Sequence, residues 1–107
     1  MSPATLTATG PGRFRLAGNL DFGSVGTLLA EGEGRFAGHP TIRIDLQAVT
    51  QANSAGLALL LEWLDQAQRG KQRVELINLP ESLMRIAAIT NLAGLLPLGA
   101  DAAPPRT

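Results

Sequence analysis

Between Thr41 and Trp63 the apolar pattern changes period once, and that change marks the most informative junction in the chain. Ile42, Ile44 and Leu46 alternate with Arg43 and Asp45, which predicts a half-buried strand. Gln47 to Ala52 is too polar and too short for another element and reads as a connecting loop. Asn53 or Ser54 then starts a helix, since either side chain can accept a hydrogen bond from the unpaired N–H groups of a first turn. Those groups also make the position receptive to an added phosphate. At about 100° per residue, Leu57, Leu60, Leu61, Leu64 and Ala67 form one stripe, expected to face the core. Ala55, Leu59 and Trp63 form a second apolar stripe roughly 150° from the first. Either that second stripe is a partner surface, or a following loop or the third helix covers Trp63. Its nearness to Ser54 favours the surface.

The remaining pattern fills in the elements on both sides. Thr5–Thr9 and Arg13–Ala17 alternate around Gly10-Pro-Gly12, as a hairpin does. Asp21 can cap a first helix with Phe22, Val25, Leu28 and Leu29 at helical spacing, ended by Gly32 and Gly34. Phe36 is expected to pack beneath the next turn. Gly70 to Arg73 reads as a loop, Val74–Ile77 as a short strand ended by Asn78-Leu-Pro80, and Glu81–Ile89 as a helix with Leu83, Met84, Ile86 and Ala87 inward. Asn91–Leu98 is a last apolar segment, and 99–107 reads as a flexible tail. Strands interleaved with helices predict an α/β fold, a mixed β-sheet with helices packed on one face. The strand–helix–strand unit from Thr41 to Ile77 should be a right-handed crossover with parallel neighbouring strands.

A chain of 107 residues fits one domain, 1–107. Nine basic and nine acidic residues cancel, so no global field favours nucleic acid or an anionic membrane as partner. The absence of cysteine removes disulfides and thiolate metal ligands. Met1–Thr7 carries neither a basic n-region nor an apolar h-region, and no segment reaches the length of a membrane span, so a cytoplasmic address is expected. The one histidine, His39, precedes Pro40 in an apparent loop, away from any nucleophile it could activate, and reads as a solvated residue. The carboxylates are scattered singly, which argues against a metal site. Gly10-Pro-Gly12 and Gly32-Glu-Gly34 lack the neighbours of a phosphate cradle and read as turns. No catalytic residue, no metal and no cofactor is expected.

Leu16-Ala-Gly-Asn-Leu-Asp21 resembles the second-strand motif of STAS domains, and Ile44-Asp-Leu followed by Asn53-Ser-Ala-Gly-Leu57 resembles their Asp-Ser-Ser/Thr-Gly-Leu segment. The resemblance spans nearly the whole chain and implies a STAS-like fold. It places Ser54 at the phosphoacceptor position of anti-sigma factor antagonists, while Asn53 stands where that family has Asp and Ala55 lacks the second hydroxyl. Gly56 to Ala67, with Asn78-Leu-Pro80 and Leu95-Leu-Pro-Leu98, is most similar to the MlaB-like members, small cytoplasmic subunits of Mla-type phospholipid ABC transporters. That resemblance implies a non-catalytic protein that binds and supports the transporter's MlaF-like ATPase subunit, and through it the membrane permease. Its address would be cytoplasmic, peripheral at the inner membrane through the complex, with neither nucleic acid nor direct membrane insertion. The expected partner-binding residues are Asn53, Ser54, Ala55, Leu59 and Trp63. The alternative is an anti-sigma factor antagonist controlled by phosphorylation of Ser54.

Overall fold

The computed structural model describes residues 3–97. In chain order it contains β1 (Thr5–Gly10), β2 (Arg13–Leu20), α1 (Val25–Phe36), β3 (Thr41–Ala52), α2 (Ser54–Arg69), β4 (Arg73–Ile77), α3 (Glu81–Ile89) and a 3₁₀ turn at Ala93–Leu95. The sheet order is β1-β2-β3-β4. β1 and β2 form the antiparallel hairpin, and β2, β3 and β4 run parallel to one another. The sheet is therefore mixed. Its alternation is clean: Phe14, Leu16 and Leu20 of β2, Ile42, Ile44 and Leu46 of β3, and Val74 and Leu76 of β4 are buried. Arg13 and Arg15, one residue out of phase, are exposed. One face thus carries the core beneath the helices, and the other is open to water.

The pairing of β2 with β3 continues past Leu46, where the sequence predicted a loop. Ala48, Val49, Gln51 and Ala52 pair with Ala17, Gly18, Asn19 and Leu20, with register shifts between Arg15 and Ala17 and between Gly18 and Asn19. Each shift breaks the two-residue period, so Val49, three residues after Leu46, is the next buried position.

The first helix also departs from expectation. The Asp21 carboxylate accepts from the N–H groups of Gly23 (2.9 Å) and Ser24 (3.1 Å), so a turn occupies residues 21–24 and α1 begins at Val25. Phe22, expected on the core face, is 76% exposed in that turn. Gly32 and Gly34 do not end α1, which continues to Phe36. A Cβ on Gly32 would lie 2.3 Å from Trp63 Nε1. The glycine is a notch that lets α2 approach α1. Trp63 packs edge-on against Phe36 (centroids 5.1 Å apart), and Phe36 against Phe14 (4.9 Å). This aromatic chain ties α2 to α1 and α1 to the sheet.

In α3, Leu83 and Ala87 are buried as expected, while Met84 and Ile86 are half-buried. His39 is half-buried, with its ring edge-on to Phe14 at 6.0 Å, rather than fully solvated. In the last apolar segment Leu96 is buried and Leu95 is 63% exposed. The Leu76 N–H on β4 donates to the Pro97 carbonyl at 2.9 Å, so the chain returns to the edge of the sheet. Leu98 and the tail expected over 99–107 lie outside the described residues.

Candidate functional site

Parallel β2 and β3 finish side by side, Leu20 paired with Ala52, and the chain turns into α2 immediately afterwards. The Asn53 N–H donates to the Leu20 carbonyl (3.2 Å), which fixes the start of α2 to the end of β2. Asn53 is the residue that caps. Its backbone is extended and its Oδ1 accepts from the Ala55 N–H at 2.8 Å, while its carbonyl receives Gly56 and Leu57. Ser54 is left as the first helical residue, exposed, with no hydrogen bond from its hydroxyl among the described residues. Of the two capping candidates in the sequence, the structure uses the carboxamide and frees the hydroxyl.

The same end gathers the 21–24 turn and the start of α3. Asn19, Asp21, Gln51, Asn53 and Ser82 line a shallow depression of about 480 Å³. Ser24 tightens the turn by accepting from the Asp21 N–H (3.1 Å) and donating to the Asn19 carbonyl (3.0 Å). With Thr50, this lining offers carboxamides, one carboxylate and two hydroxyls, a set suited to hydrogen-bonded recognition. It contains no paired nucleophile and base, because His39 lies in the loop before β3, at the opposite end of the parallel strands. Among the described residues no group of three potential metal ligands forms. No helix among them is long and apolar enough to cross a membrane.

The expected partner stripe does not survive as a surface. Ala55 (3% exposed), Leu59 (3%) and Trp63 (2%) are buried, so only Asn53 and Ser54 of the five expected residues remain at the surface. Over Trp63 the covering element is α1, whose Gly32 lies against the indole. Conversely Leu61 and Leu64, expected in the core, are half-buried. The site's apolar feature is instead Phe22, missed because helical spacing absorbed it into the first helix. Asp21 followed by Gly23 was the signal that could have placed it in a turn.

The comparisons with known proteins agree with this architecture. A family model described as Mlab, STAS domain, matches residues 6–97. Among solved structures the chain is similar to the anti-sigma factor antagonist SpoIIAA in its unphosphorylated form, at 20% identity over 92% of this chain and 89% of that one, with a TM-score of 0.68. It is also similar to part of a structure titled Mglu, at 25% identity over 72% of this chain and 19% of that one, with a TM-score of 0.56. No curated protein matches the sequence. The structural likenesses are likenesses of fold.

Proposed function

The chain belongs to the STAS-domain family, in the group whose model is described as Mlab, and on that premise we propose that it is a non-catalytic subunit that binds and supports the ATPase of an Mla-type phospholipid ABC transporter. The observation that carries the reading is the end of the domain where Phe22, 76% exposed, protrudes from the turn after β2 and the unbonded Ser54 hydroxyl opens α2. An exposed aromatic beside small polar groups is the composition of an interface anchor and its rim. Asn53 supports the same reading, because a neutral cap stands where the phosphorylation-controlled relatives that the sequence resembles carry an acid. Co-expression with the transporter ATPase and gel filtration tests it. The two proteins should elute together, and Ser54→Asp should fold yet weaken the complex by setting an unpaired charge at the contact. Separate elution of wild-type chain and ATPase would defeat the proposal.

A second reading draws on Ser54 itself. An exposed hydroxyl at the first position of a helix is accessible to a kinase, and the helix N-terminus stabilises the phosphate it would receive. On that reading the chain is an anti-sigma factor antagonist. Intact mass of the protein from its native cell decides: stoichiometric phosphate on Ser54 supports the antagonist, and unmodified Ser54 supports the transporter subunit.

A further inference from the structure

The opposite end of the molecule has its own chemistry. Because β2, β3 and β4 are parallel, the Pro11–Gly12 turn and the loops at 37–40 and 70–72 meet there. Hydrogen bonds tie them together: Arg43 N–H to the Gly12 carbonyl (2.8 Å), Arg73 N–H to the Pro40 carbonyl (2.8 Å), and the Gln72 amide to the carbonyls of Phe36 (2.7 Å) and His39 (2.8 Å). This brings together Arg13 at the start of β2, Arg35 in the last turn of α1, Lys71 in its loop and Arg73 at the start of β4. All four are exposed. None is within ion-pair distance of a carboxylate among the described residues, whereas Arg69 pairs with Asp65 and Arg85 with Glu81. A chain of zero formal net charge therefore gathers four cations at the end away from Ser54, where Glu33 of α1 and Glu75 of β4 are the carboxylates two residues from Arg35 and Arg73, so cations predominate there.

We infer that this pole is a docking surface for an anionic phospholipid bilayer. The surrounding loop residues Pro11, Gly12, Ala37, Gly38, Pro40 and Gly70 are small or cyclic, His39 and Gln72 are half-buried, and the exposed aromatic Phe22 lies at the other end. These loops offer a protein partner no large apolar side chain to grip. Single-stranded nucleic acid would find no exposed Phe, Tyr or Trp ring to stack on, and the His39 ring is half-buried against Phe14. What remains is four unpaired cations on a blunt end, which suits diffuse attraction to a plane of phosphate headgroups. The surface is independent of ATPase binding, because it uses neither Ser54 nor Phe22. Both contacts can be made at once.

Co-sedimentation of the full chain with vesicles tests this, using phosphatidylcholine alone or mixed with phosphatidylglycerol, carried to millimolar lipid. Binding should require phosphatidylglycerol and disappear as salt rises from about 0.05 to 0.5 M. Arg13→Gln, Lys71→Gln and Arg73→Gln should each lower partitioning about fivefold. Phe22→Asp should leave it unchanged. Equal binding to both vesicle types, no binding to either, or a triple variant that is folded by circular dichroism and still binds like wild type overturns the inference. So does retention by an acidic peptide or duplex DNA without retention by phosphatidylglycerol vesicles.

Discussion

Gly32 and Trp63 meet where neither has room for a larger neighbour. A Cβ at position 32 would sit 2.3 Å from Trp63 Nε1 and 2.6 Å from Cε2, so Gly32→Ala should destabilise the domain by about 1–3 kcal/mol through overpacking. Gly26 and Gly34, on the same helix, have nothing within 4 Å of an added Cβ. Gly26→Ala or Gly34→Ala should therefore stabilise by about 0.5–1 kcal/mol, by relieving the entropic cost of glycine in a helix. Urea unfolding followed by fluorescence of the single tryptophan gives all three values, and a common sign for the three would refute the notch. The sequence could not separate these roles. A glycine that ends a helix and one that admits a neighbour look alike until the neighbour is known. Phe22 was obscured in a similar way, since one apolar residue at helical spacing matches the core pattern whether or not the helix has begun.

At the scale of elements, α2 shows why periodicity located the helix and misjudged its surface. Its buried residues, Ala55, Gly56, Leu57, Leu59, Leu60, Trp63 and Ala67, span about 200° of the circumference, because the sheet, α1 and α3 all pack on it. A stripe of about 100° describes a helix covered from one side only. The strands β1 and β4, the hairpin and the parallel pairing of β3 with β4 were legible because their sequences alternate, even though the hairpin register shifts between Ala8 and Gly10. The far half of β3 was not, because its bulges shift the period and its partner is a parallel strand remote in sequence. Two substitutions within α2 test its assignment. Trp63→Ala should cost about 3–5 kcal/mol in a thermal or urea melt of the isolated protein. Asn53→Ala should cost about 1 kcal/mol, and Ser54→Ala less, since Asn53 holds the cap. A larger loss at Ser54 than at Asn53 would reverse the capping assignment.

At the scale of the whole molecule, the parallel strands give the domain two unlike ends. One gathers Asp21, Phe22, Asn53 and Ser54; the other gathers Arg13, Arg35, Lys71 and Arg73. Zero net charge, correctly read from composition, concealed that separation, because the cations come from four distant segments that only the topology unites. The STAS fold and Ser54 at the start of α2 were readable from the Asn53-Ser-Ala-Gly-Leu57 segment, whereas Trp63, expected at the surface, is buried, and Phe22, expected in the core, is exposed on the surface proposed for the ATPase. The account stands or falls on that surface. Isothermal titration of the purified transporter ATPase with the wild-type chain and with Phe22→Asp, both shown to melt alike, tests it most directly. We predict saturable one-to-one binding by the wild type and a loss of about 2 kcal/mol or more, roughly thirtyfold in affinity, for Phe22→Asp. Equal affinity of the two proteins, or no heat of binding with the wild type, would contradict it.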